Sequence, residues 1–304
     1  MGIFDSPLYV PPTWRPNYGN GADGAVTVSA NNDWKTLFNK QTVQATTFTL
    51  NSGVTLTLNT DYMPHILRCQ QSCTISGTIN GAAKGYAGGS RGGYNDLNYA
   101  GTGPGRGALG KYTSGGGGGF ADYGNNGVGG APSALGGGPY DVLGGILTGD
   151  FGAAGAGSGG SSGSGGWNGE GGWGVYGGRG GYGGAGLYIL APSLTIGSTA
   201  SVNLNGENGE NGEYREGWQG AGGGGGSGGW LIALFNVGTF PTSGTQITAL
   251  KGTGGTGSNG NKNGGNGANG RIYLVWINSI TSGAENRSNP VATAVSLRTP
   301  RSLG

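Results

Sequence analysis

Glycine recurs at every third residue through the middle of the chain, and this period restricts the possible folds more than any other feature. Gly171, Gly174, Gly177, Gly180, Gly183 and Gly186 hold one phase; Gly157, Gly160, Gly163, Gly166, Gly169 and Gly172 hold another. The remaining phase carries only large residues: Trp167, Glu170, Trp173, Tyr176, Arg179 and Tyr182. An α-helix repeats every 3.6 residues and a strand every 2. A period of three matches the polyproline II type of helix, which rises about 3.1 Å per residue and has no internal hydrogen bonds. Its N–H and C=O groups must be satisfied by neighbouring backbones, and glycine permits that close approach. The tracts at roughly 81–186, 205–229 and 252–270 are therefore expected to form an ordered bundle. Its aromatic edge, Trp167, Trp173, Tyr176 and Tyr182, would face a sheet or the outside. The triplet Asn-Gly-Glu runs three times from Asn205 to Glu213, and Asn-Gly recurs at 263, 266 and 269.

Composition argues against the simpler reading, disorder. With 77 glycines and 12 prolines in 304 residues, the chain reaches the content at which low complexity is the default. However, only 10 % of residues are charged, and there are 7 Trp, 14 Tyr and 7 Phe. Disordered chains are commonly rich in charge and poor in aromatics. The net charge of +2 gives no electrostatic footprint for nucleic acid. No apolar run reaches the about 18 to 20 residues that span a bilayer, so membrane insertion is not expected. The N-terminus lacks the basic and apolar regions of a secretory signal, so an extracellular role would require another exit, such as release of an assembled particle by lysis.

Flanking the glycine are segments of strand character. Residues 25–29, 47–50, 54–58 and 73–79 alternate apolar or β-branched residues with polar ones. One short helix is expected at Asn32–Phe38, capped by Asn32 or Asp33. A weak repeat follows: an apolar strand, a turn, a second alternating strand, then glycine. It starts at His65, Leu187 and Trp230, and a last strand runs from Arg271 to Ile277. Units that cannot bury their own faces suggest stacked rungs. The expected fold is all-β, with short β-sandwich or β-helix-like rungs and interposed polyglycine II-type tracts. Four regions follow: an extended docking arm (1–24) with candidate anchors Phe4, Tyr9, Trp14 and Tyr18; a β-rich attachment domain (25–80); a glycine-rich domain (81–278); and an extended tail (279–304).

Motifs for chemistry are weak. Gly105-Arg106-Gly107-Ala108-Leu109-Gly110 fits GxGxxG, but this glycine content yields about five such matches by chance. Tyr112 stands where a P-loop needs Ser or Thr. His65 is the single histidine, reads as structural, and has no nucleophile-elbow motif to serve. Asp141, Asp150, Glu170 and Glu207 could supply a carboxylate pair only if folding gathered them. The Glu207, Glu210, Glu213 ladder fits a solvated edge better than a calcium site. Cys69 and Cys73 fit either a small disulfide loop or buried free thiols, and the lack of a cysteine-rich framework favours the thiols. No catalytic, metal or cofactor site is expected, and the chain reads as non-enzymatic. For binding, the candidates are Trp167, Trp173, Tyr176, Tyr182, Tyr123 and Tyr140, whose rings give rigid amphipathic contact area suited to sugars. Equally, these rings could complete the bundle's own core.

Short β rungs alternating with Gly115–Gly119, Gly169–Gly186 and Gly222–Gly226 resemble the glycine-rich proteins of tailed-phage particles. These are head fibres, decoration proteins and tail-fibre tip adhesins with polyglycine II bundles. The resemblance covers about 81–277 and lies in style of sequence rather than in a transferable residue. It implies a cofactor-free protein on the virion surface, often a homotrimer, bound to other virion proteins. It also implies contact between loops of the glycine region and a host surface glycan or outer-membrane protein. The alternative is a secreted glycine-rich ice-binding or cell-wall protein, which would present a flat, regular face of Thr or small residues.

Overall fold

The structure is a computed structural model. It describes residues 8–9, 16–91, 99–107, 115–120, 123–127, 136–138, 156–160, 166–167, 174–215, 218–240, 247–257, 262–277, 291–292 and 294–296. The fold is all-β, with two main sheets of parallel strands. In the first sheet, Ala25–Val28, Thr42–Leu50, His65–Ile75, Gly186–Ile196, Trp230–Thr239 and Arg271–Trp276 lie side by side in chain order. In the second, Asn32–Asp33, Thr55–Thr57, Thr78–Asn80, Ser201–Asn203 and Ile247–Thr248 do the same. The chain therefore winds repeatedly through both sheets, laying each turn on the last. Ala294–Ser296 closes one end of the first sheet by antiparallel pairing with Tyr273–Val275.

Register explains the core. In the second sheet one inward residue per strand stacks as a column, Leu56, Ile79, Val202 and Ile247. Facing it, the first sheet stacks Val43, Leu67, Ile189, Ala233 and Leu274 in a matching column. Both belong to one buried cluster between the sheets. The run Trp230–Phe235 is buried at every position, because the outer face of the first sheet is covered as well. Parallel strands buried on both faces read as continuous apolar runs, and this one does. Gly77 makes the corner between His65–Ile75 and Thr78–Asn80, where a Cβ would sit 2.3 Å from the Val54 carbonyl oxygen.

The predicted short helix is present as Trp34–Phe38, with Asp33 accepting from the Thr36 amide at 2.9 Å. Its Trp34 is buried and seals the first turn of the stack, its Nε1 donating to the Lys40 carbonyl oxygen at 2.7 Å. Segments 25–80 and 81–278 share both sheets: His65–Ile75 pairs in parallel with Gly186–Ile196. Leu8–Tyr9 pairs with Val291–Ala292, so backbone from the arm meets backbone from the tail. Cys69 and Cys73 are buried free thiols, and a hydrogen bond with Cys69 together with burial pushes the Cys73 thiol well up.

His65 opens the strand His65–Ile75. It is buried, accepts the Asn59 amide at Nε2 (3.2 Å), and lies edge-on to Trp34 at 5.1 Å. Burial lowers its pKa from 6.5 to about 4, although the Gly186 backbone opposes the shift. The unfolded chain therefore binds a proton before the folded chain does. This contribution is complete above pH 6.5 and falls away as the pH drops toward 4, by about 3 kcal/mol. Denaturant unfolding at pH 7 and pH 4.5 should show a smaller loss for His65→Gln than for the unaltered chain; equal losses would contradict it.

Candidate functional site

The first two passages from one turn of the stack to the next carry only the short helical turns Trp34–Phe38 and Thr60–Tyr62, whereas each of the last three carries a glycine excursion that leaves the sheets and returns. Residues 81–91 lead out after Thr78–Asn80, and 176–185 lead back into Gly186–Ile196. Likewise 204–213 leads out and 220–229 back, then 249–257 out and 262–270 back. These segments have no strand assignment, yet their backbones are hydrogen-bonded to one another every third residue.

Segment 220–229 is the centre. Its amides at 220, 223, 226 and 229 donate to carbonyl oxygens of Glu213, Glu210, Glu207 and Leu204 at 2.8–2.9 Å. The next phase, 222, 225 and 228, donates to Lys262, Gly265 and Ala268, each at 2.9 Å. Its carbonyl oxygens accept from Gly178, Gly181 and Gly184, from Gly115 and Gly118, and from Gly252 and Gly255. Ser227 adds a bond to the Ser158 carbonyl oxygen. Six other segments thus surround one glycine segment, and contact at that range leaves room for no side chains beyond the small ones of Ala221 and Ser227. A Cβ on Gly226 would lie 2.0 Å from the Tyr182 carbonyl oxygen, and one on Gly223 2.1 Å from that of Arg179.

The all-large phase lies on the outer edge of 176–185. Tyr176, Arg179 and Tyr182 are half-buried, and the Arg179 guanidinium carbon is 5.0 Å from the Tyr182 ring centroid. Their amides receive carboxylates: Glu213 accepts from Tyr176 (3.2 Å), Glu210 from Arg179 (3.4 Å) and Glu207 from Tyr182 (3.0 Å). Arg179 also pairs with Glu207 at 2.7 Å and Glu210 at 3.2 Å, while Arg91 pairs with Glu210 at 3.0 Å and Glu213 at 3.1 Å. Burial pushes the Glu210 carboxyl up, but the hydrogen bonds from Arg91 and Arg179 outweigh it and leave that group below its ordinary value. The triplet glutamates thus form a zipper along the edge. Among the described residues no group of three or more His, Cys, Asp or Glu could hold a metal ion.

At the end remote from the sheets, two small hairpins meet. Gly166–Trp167 pairs with Gly174–Val175, Tyr214–Arg215 pairs with Trp218–Gln219, and Trp218–Gln219 lies beside both strands of the first hairpin. Tyr214 is 64 % exposed. Tyr214 and Trp218 escaped the sequence reading, although they are the aromatics that break the Asn-Gly-Glu run. Tyr123 is 71 % exposed. Trp173, Tyr140, Phe4 and Trp14 lie outside the described residues, and for Trp167 and Tyr9 the backbone alone is described. Tyr18 donates to Asn236 Oδ1 at 3.1 Å and packs on the outer face of the first sheet; burial raises its phenol. No helix among the described residues is long and apolar enough to cross a membrane. No family model, curated protein or solved structure matches the chain.

The close approach of the segments sets up a direct comparison. Gly226→Ala should lower unfolding stability by about 3 kcal/mol or more, an overpacking cost at the backbone itself. Gly138→Ala, where an added Cβ meets nothing within 4 Å, should stay close to the unaltered chain. Thermal or denaturant unfolding of the pair checks this, and equal effects would count against the packing described.

Proposed function

We propose that the chain is a non-enzymatic structural protein on the surface of a tailed-phage particle: a fibre, decoration or adhesin component displaying a rigid glycine domain. The observation that carries this reading is the network around 220–229, in which backbone groups bond in several directions at a three-residue period. This bonding supports a polyglycine II-type bundle, whose helices have no hydrogen bonds of their own. On this reading the parallel turns are a β-helix-like support, and the bundle is what the support displays. A domain exposed outside a cell gains from having few flexible backbone amides, because local opening is what admits proteases.

Other virion proteins are the proposed partners at the support, and a host surface glycan or outer-membrane protein the proposed partner at the bundle. The assembly is taken to be a homotrimer without cofactors. Tyr123, Tyr176, Tyr182 and Tyr214 are among the described aromatics that offer contact area. Limited proteolysis joined to light scattering tests the reading. A protease-resistant core containing 81–277 and one defined oligomer are expected; a monomeric chain cut readily within its glycine tracts would overturn it.

A second reading, an ice-binding protein, draws on one observation. Thr253 and Thr256 are exposed on one segment beside exposed Asn208 and Asn211 on the next, both at the three-residue period. Thermal hysteresis of the pure protein would select this reading, and its absence would discard it.

A further inference from the structure

We infer that the asparagine rows of the triplet repeats terminate the glycine bundle and keep a second copy's glycine segment from adding to it. Among the described residues, segment 249–257 lies at an edge. Its neighbours among the described residues are 204–213, 220–229 and 262–270. It donates from Gly252 and Gly255 to carbonyl oxygens of 220–229, both at 2.8 Å. It accepts from 204–213 and 262–270. In a bundle extended on all sides, its other two amide rows would each find the carbonyl row of one more glycine segment.

Those places are filled by side chains. The amides of Leu250, Thr253 and Thr256 donate to the Oδ1 atoms of Asn205, Asn208 and Asn211, at 2.7, 2.8 and 2.8 Å. The amides of Lys251, Gly254 and Gly257 donate to Asn269, Asn266 and Asn263, at 3.1, 2.9 and 3.0 Å. Every amide from 250 to 257 is thereby occupied, six of them by asparagine. An asparagine side chain carries the same amide carbonyl as the backbone, so each row substitutes for a missing segment while adding no further glycine surface. The same device recurs on 176–185, where glutamate carboxylates take the outer amide row.

An unpaired row of backbone donors is a template for pairing with another chain, in this bundle as at a sheet edge. The complementary partner is a carbonyl row at glycine spacing, and a second copy of this chain supplies one. At Gly254 and Gly257 the edge segment has no side chain of its own to hold such a row away. Asn263 and Asn266 are therefore the residues that block it.

The test compares full-length Asn263→Ala/Asn266→Ala with Asn263→Asp/Asn266→Asp, which keeps an acceptor oxygen at each place. Light scattering across a concentration series should show the alanine variant at least doubling its mass relative to the unaltered chain. The aspartate variant should keep the unaltered mass. In the associated alanine variant, amide exchange at 254 and 257 should remain slow. A folded alanine variant that holds the unaltered mass at every concentration overturns the inference. Association that leaves those amides fast overturns it too, since the contact would lie elsewhere. If the alanine pair does not fold, the single variants Asn263→Ala and Asn266→Ala carry the same comparison at Gly257 and Gly254.

Discussion

The structure depends on one requirement: every buried backbone N–H and C=O must find a partner. Helices meet it within a segment and sheets meet it sideways in one plane. Segment 220–229 meets it outward, toward several neighbours at once. Glycine is what makes that possible, because a Cβ would occupy the space where a neighbouring carbonyl sits, as at Gly226. The cost is ordering entropy, roughly 1–2 kcal/mol per residue, and a single hydrogen bond returns only about 1 kcal/mol net. Isolated segments of this kind would not hold. They are held because each excursion leaves from and returns to the strands of the well-buried parallel sheets, which fix its two ends.

This division of labour explains the composition. Apolar residues concentrate in the stack, where columns such as Leu56, Ile79, Val202 and Ile247 supply the hydrophobic burial. The bundle has little to bury and relies on geometry. Its non-glycine positions fill edges, as Asn and Glu do, stand on the outside, as Thr253 and Tyr123 do, or are small and buried, as Ser158, Ala221 and Ser227 are.

Much of this was legible in the sequence, for identifiable reasons. Period-2 alternation located Ala25–Val28, Thr55–Thr57 and Ser201–Asn203, and the Asp33 cap located the helix. Period 3 pointed to outward hydrogen bonding, since the other backbone of that period, the 3-10 helix, is not sustained over runs this long. What stayed illegible was pairing at long range. The ladder of Glu207, Glu210 and Glu213 reads as a solvated edge until Arg179 and Arg91 arrive from segments distant in the chain. The asparagines repeat visibly, but the acceptors of Asn205, Asn208 and Asn211 face amides 45 residues away, a separation that no local pattern encodes. The hairpins that bring Trp167 near Trp218 escape for the same reason.

The out-and-back excursions have a consequence for how such a chain changes over generations. Each leaves and re-enters between adjacent turns of the stack, so its length is uncoupled from the strand register. Adding triplets to both arms of one excursion deepens the bundle by a layer. Duplicating a turn with its excursion widens the bundle by two segments while the stack grows by a single turn. A molecule built this way can alter its reach and its breadth through small in-frame insertions, leaving the hydrophobic columns that fold it untouched.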